Sequence, residues 1–342
     1  MSLPHFSSLP PSQFDSDIAY LEKRLDANPE DHYATVWLLR VLDYYTPSKS
    51  GLGVFSDCQR EIVARYQENF WVNDLLDIDK AAQHYHYWNS LLDSKDLHPP
   101  VLVTQLFAGQ ILKIHGEQTN CVLRMSLFGK DGVISRFCDD CFKVQILAED
   151  LTSLIQTYFV LRGLELPRDN TRKCMVELRD DVPYPYKGYI FCESEEEVIY
   201  CLEAFSNALQ SFGISNVHCG ISHGCSEYGL KYPEYKYSSD GAHNSFVRSD
   251  SWDRLEADFF KENKLQEHYK DHHNKQGITI NDVLGFRAWI KYAEIIGDDS
   301  CKKFLGGPTV TLPEHFTVQA EKLADKRKSQ MKELRERLSA KA

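Results

Sequence analysis

The sequence predicts an α+β protein, with six alternating elements, β-α-β-β-α-β, in mid-chain and helices on both sides. Three observations carry this. Between Phe142 and Ile221 the apolar period alternates between two residues and about 3.6. Both helices of that run have readable start and stop signals. Outside the run the periodicity is helical over long stretches.

The first helices lie around Asp15–Leu25 and His32–Tyr45, separated by "ANPED", where the residue before proline disfavours helix. This hairpin resembles a single tetratricopeptide unit; a solenoid would need several. Further helices are predicted from Cys58 to Glu68 and from Asp79 to Leu92. Cys121–Leu127 reads as a strand, with "FGKDG" as a hairpin turn. The alternating run follows: strand Phe142–Leu147, helix Asp150–Arg162, strands Lys173–Arg179 and Lys187–Cys192, helix Ser194–Phe212 and strand Asn216–Ile221. Ser194 with Glu197 forms a capping-box pattern, and Val198, Leu202, Phe205, Leu209 and Phe212 form one stripe. This order is the ferredoxin-like split arrangement, whose sheet order is 4-1-3-2. Helices at Asp253–His268, Ile280–Ile296 and Phe316–Leu338 complete the chain.

Three regions are therefore expected: helical 1–115, a ferredoxin-like 116–237, and 238–342, a polar loop with helices ending in a basic one. From Lys322 onward eight Lys/Arg stand against three Asp/Glu, and the apolar stripe is thin. That helix is expected to add little to the core, so that deleting 317–342 leaves the melting temperature nearly unchanged.

The 342 residues are 42% hydrophobic and 26% charged, with a net charge of −11, which repels nucleic acid and anionic lipid. The N-terminus lacks the pattern of a secretory signal, and the apolar stretch Val101–Leu112 is too short to cross a bilayer. Ten scattered cysteines read as reduced thiols in the cytoplasm. Protein partners are expected at the helical flanks.

"CDDC" (Cys138, Cys141) precedes the first strand of the run, and "HCGISHGC" (His218 to Cys225) closes the last. In a 4-1-3-2 sheet those two strands are antiparallel neighbours, so the two segments converge at one edge. Cys138, Cys141, Cys225 and either His223 or Cys219 would suit tetrahedral zinc. An iron–sulfur cluster on Cys138, Cys141, Cys219 and Cys225 ranks below it. A structural metal with partner-binding helical flanks is the leading functional expectation. The alternative is a thiol enzyme, with Cys225 as nucleophile, His223 or His218 as base and Glu227 or an Asp of the CDDC turn as orienter.

"KGYIFCES" resembles the third-strand signature of RNA-recognition motifs, matching at Lys187, Gly188, Tyr189 and Phe191. The resemblance implies bases stacked on Tyr189 and Phe191, which alternation places on one sheet face with Lys187. The first strand, FKVQIL, lacks the family's aromatic there. Seven Lys/Arg against thirteen Asp/Glu in 140–225 also argue against nucleic acid. His272 and His273 are adjacent and diverge on a helix.

Overall fold

The structure is a computed structural model describing residues 11–65, 72–99, 111–114, 117–118, 121–168, 170–235, 246–264, 269–270, 277–306 and 312–340. Residues 1–10, most of the apolar stretch 101–112, and His272 with His273 lie outside the described residues.

In chain order the helices Pro11–Ala27 (α1), His32–Tyr44 (α2), Val54–Ala64 (α3), Val72–Leu76 (α4) and Ile78–Ser94 (α5) come first. Strands Ile111–Ile114 (β1) and Glu117–Gln118 (β2) and helix Cys121–Asp131 (α6) follow. Then come Phe142–Ala148 (β3), Leu151–Gly163 (α7), Arg172–Val176 (β4), Tyr186–Cys192 (β5), Glu195–Ser211 (α8) and Val217–His223 (β6). The chain ends with Ser226–Lys231 (α9), Asp250–Glu262 (α10), Tyr269–Lys270 (β7), Ile280–Ile296 (α11) and Glu314–Ser339 (α12).

The fold is α+β, with an antiparallel five-stranded sheet in the order β1-β4-β5-β3-β6. β3 and β6 are antiparallel neighbours, with Phe142 opposite His223 and Ala148 opposite Val217. One face carries Val144, Ile146, Cys174, Val176, Ile190 and Cys192 into the main core, against α7, α8 and α11. α11 lies inside the molecule and is apolar nearly all round. Thr279 and Asp282 form its capping box, and Gly297, at φ 71°, ends it. Gly285 brings α11 onto the sheet: a Cβ there would stand 2.3 Å from the Leu112 side chain.

Two buried polar networks lock these layers. Asp282 pairs with Arg162 at 3.0 Å and accepts from the Tyr158 hydroxyl at 2.6 Å, tying α11 to α7. Thr279 donates to Asp43 of α2 at 2.7 Å. The second network surrounds Glu177, just past β4, where Arg179 and Lys187 reach its carboxylate.

Two sequence expectations need correction. Cys121–Leu127 is not a strand: it belongs to α6, whose buried residues, Arg124 and Leu127, are three apart. A short apolar run carries either period, and the tertiary contacts choose. "FGKDG" is the end of this helix, where Gly132 at φ 69° donates its N–H to the Phe128 carbonyl.

The second correction concerns α12. Phe316, Ala320, Leu323, Arg327, Met331 and Leu334 are buried, at spacings of three and four. Ion pairs from Lys326 to Asp180 and from Arg335 to Glu149 lay its basic side across the acidic body. The helical flanks thus put their apolar faces into the main core. Full burial of the four large apolar side chains of α12 corresponds to roughly 6–12 kcal/mol of transfer free energy. That is comparable to the whole stability of a domain. Ending the chain at Pro313 is therefore expected to lower the melting temperature steeply or prevent folding, as circular dichroism would show. An unchanged melting curve would mean that α12 is not part of the core.

Candidate functional site

The segments expected to converge do so. β3 starts directly after the turn Arg136–Asp140 and Cys141, and β6 runs into Gly224 and Cys225. The Gly224 N–H donates to the Cys141 carbonyl at 2.7 Å, extending the ladder past Phe142 and His223. Buried Cys138 and half-buried Cys141 and Cys225 pack together with Ile134, Tyr228 and Tyr235. Gly224, at φ 56°, makes room for this: a Cβ would lie 2.5 Å from the Tyr235 ring.

Cys219 stands apart. It pairs with Ile146 four residues up β6 and packs against the main core. His223 lies between Phe142 and Tyr235, with ring centroids 4.8 and 4.3 Å away. Its Nε2 is 2.7 Å from the Asp139 carbonyl and its Nδ1 is 3.0 Å from the Tyr235 carbonyl. A neutral ring donates to one of these and an imidazolium to both. An ion on either nitrogen would displace one of them. Among the described residues no group of three or more His, Cys, Asp or Glu side chains is arranged to hold a metal ion.

Burial pushes Cys141 and Cys219 up to about 12, Cys138 further, and Cys225 above its ordinary value. A nucleophilic cysteine needs the opposite shift. The Cys138 sulfur is 3.6 Å from the Tyr228 hydroxyl, while Glu227, the expected orienter, is engaged by Arg179. His218 lies opposite Leu147, further up the sheet.

The sheet face opposite α7 and α8 has a different chemistry. Lys187, Tyr189 and Phe191 share it, as alternation predicted, while Ile190 and Cys192 enter the main core. Lys187 is fully buried and pairs with Glu177 at 3.1 Å. Tyr189 is 3% exposed, packed with Met175 and beside Ile111 and Phe191, so a base would have to displace its neighbours to stack on it. Register places Lys143 opposite Phe191 and Lys173 opposite Tyr189. The ammonium groups of Lys143 and Lys173 are each 5.2 Å from the Tyr189 ring centroid, and that of Lys173 is 5.0 Å from Phe191.

Neither lysine has a carboxylate within ion-pair distance among the described residues, though Lys143 is only 6% exposed. Burial lowers Lys173 to about 8, and the positive charge of Lys143 adds to the shift. Sequence reasoning passed over this pair. The signal available was parity: Lys143 and Lys173 alternate with core residues, so each takes the face that Tyr189 takes. Only strand register shows that they meet.

Comparison with protein-family models, with curated proteins and with solved structures found no significant match. The reading of this site therefore rests on its geometry.

Cys121 is the exposed thiol, whereas Cys138 is buried and Cys141, Cys219 and Cys225 are half-buried. Iodoacetamide at neutral pH is expected to modify Cys121 first, with these four reacting slowly until denaturant is added. Peptide mass spectrometry reads the order, and early labelling of Cys225 would restore the nucleophile.

Proposed function

We propose that this protein binds a small anion on the sheet face between Lys143 and Lys173. The carrying observation is the pair of ammonium groups over Tyr189 without a carboxylate partner among the described residues. Enclosing an unpaired charge costs several kcal/mol. A cation–π contact returns only about 0.5–2 kcal/mol. The contrast lies on the same face, where Lys187 has Glu177. An anion with carboxylate or phosphate oxygens would supply the counter-charge that Lys143 and Lys173 lack.

The framework in this reading is a ferredoxin-like unit of β3, α7, β4, β5, α8 and β6, with β1 added at its edge. Its support is the spatial order β6-β3-β5-β4. Ten free cysteines suit a reducing compartment, and on that ground the proposal places the protein in the cytoplasm.

Calorimetric titration with inorganic pyrophosphate tests the reading. Lys173→Met is expected to weaken binding by roughly 10- to 100-fold, the loss of one charge-assisted hydrogen bond. The same change should raise the melting temperature, because it removes a half-buried charge that has no carboxylate partner among the described residues. Unchanged affinity, or a lowered melting temperature, would show the lysine to be structural. The pH dependence has a definite sign. The ammonium form binds the anion, so affinity holds below about 8 and falls as pH rises through it. In the free protein the unfolded chain keeps this proton to higher pH, so the lysine's contribution to stability rises above about 8.

A second reading, structural zinc at Cys138, Cys141 and Cys225, is favoured by the convergence of these thiols in one apolar cluster. Elemental analysis of protein purified without added metal is expected to find about one zinc, lost in Cys138→Ser together with stability. A metal-free, fully folded protein would remove it.

A further inference from the structure

We propose that Lys173 is an amine nucleophile that condenses with the carbonyl carbon of an anionic aldehyde or ketone, with Lys143 holding the anionic group. This rests on the anion-binding reading above and names the substrate class of the same site.

The geometry comes from the register. Lys143 of β3 and Lys173 of β4 flank β5 and reach the same aromatic ring from opposite sides. Two ammonium charges sharing one ring repel each other, and in an enclosed setting that repulsion is poorly screened. Loss of one proton relieves it and leaves a neutral amine beside a fixed cation. The groups acting on Lys173 are Lys143 on β3, Arg179 beyond β4, Cys225 at the start of α9 and Cys121 at the start of α6. Tyr189 and Phe191 on β5 lie against it. Arg179 is neutralised by Glu177 and Glu227, so Lys143 is the unpaired cation that faces it.

Lys173 is the member of the pair that burial brings down to about 8. At pH 7 roughly one Lys173 in ten is then the free amine, against about one in a few thousand for an ordinary lysine. An amine made nucleophilic by enclosure and a neighbouring cation is what imine formation requires.

The step balances without an oxidant. The Lys173 nitrogen lone pair forms the C–N bond, and the carbonyl π pair moves to oxygen, which takes a proton to give a carbinolamine. The nitrogen then loses a proton, the hydroxyl leaves with an added proton as water while the nitrogen lone pair closes the C=N bond, and the iminium so formed gives up the second nitrogen proton. The product is the imine, one water per amine and carbonyl joined. The Lys143 ammonium, 5.2 Å from the Tyr189 ring centroid, would hold the carboxylate or phosphate and favour charge developing on the carbonyl oxygen.

The test uses the full chain and a defined probe, pyridoxal 5′-phosphate, an aldehyde with a phosphate group. Reaction at pH 7, reduction with borohydride and peptide mapping give the rate at each lysine. Labelling at Lys173 is expected to be at least about tenfold faster than at any other lysine, with a rate that climbs to pH 8 and then levels. Lys143→Met should slow labelling by the phosphorylated aldehyde more than labelling by pyridoxal, which lacks the phosphate and loses only the effect of the Lys143 charge on the amine. Lys173→Arg should abolish the labelled peptide while leaving the melting curve unchanged, which guards against misfolding. Labelling spread evenly over surface lysines would overturn the imine proposal. If pyrophosphate still binds in that case, only the covalent step fails; if it does not bind, the anion site fails as well.

Discussion

The buried carboxylate of Glu177 is the constraint on which the sheet and its flanking helices depend. It takes two hydrogen bonds of 2.8 Å from Arg179 and one of 3.1 Å from Lys187. Its backbone carbonyl accepts from the Tyr292 hydroxyl of α11 at 2.9 Å and from Arg327 of α12 at 3.2 Å. One residue thus joins β4, β5, α11 and α12, and Arg179 carries the link to Glu227 on α9. Burial alone would raise its carboxyl; the hydrogen bonds of Arg179 and the charge of Lys187 outweigh that and hold it below the usual range. Removing such a carboxylate strands the buried Lys187 and leaves Arg179 with Glu227 alone, a loss on the order of 3–5 kcal/mol. The carboxylate is protonated as pH falls through its lowered value, so its contribution is present above the ordinary glutamate range and lost in acid.

The same network explains why α12 belongs to the core despite its charge. Arg327 lies in the buried stripe of that helix, fully enclosed, where an unpaired guanidinium would be prohibitive. It is tolerated because the chain after β4 turns its carbonyls toward it: Arg327 donates to Glu177, Arg179 and Val182. Lys187 is the β5 counterpart, enclosed and matched by a carboxylate. Lys143 and Lys173, by contrast, lie over aromatic rings and have no carboxylate partner among the described residues.

Local signals fixed many of the elements. α11 occupies the predicted span, since Thr279, Asp282 and Gly297 mark its ends by short-range hydrogen bonds and a left-handed residue. α8 begins where Ser194 accepts from the Glu197 N–H at 3.1 Å, although the Glu197 carboxylate reaches back to the Glu193 N–H rather than to Ser194. The antiparallel pairing of β3 and β6, and with it the meeting of Cys138 and Cys141 with Cys225, followed from the order of elements. Such features depend on neighbours in the chain or on a small set of sheet topologies.

What only the tertiary structure decided has a common cause: the partner is distant in sequence. α6 carries an apolar run compatible with a strand and takes its helical form where Arg124 can reach Ser135 at 2.8 Å and lie over Phe137. The stripe of α12 looked thin because Arg327, which belongs to it, is satisfied by carbonyls 145–150 residues earlier. His223 looked like a ligand until two backbone carbonyls, from Asp139 and Tyr235, took its ring nitrogens. Lys143 and Lys173 are thirty residues apart and on strands that do not touch; β5 between them supplies the ring both share. The residue pattern determined which side chains face each side of each element. Register and packing determined which charges meet a counter-charge, because electrostatic matching is a property of distances that no local pattern encodes.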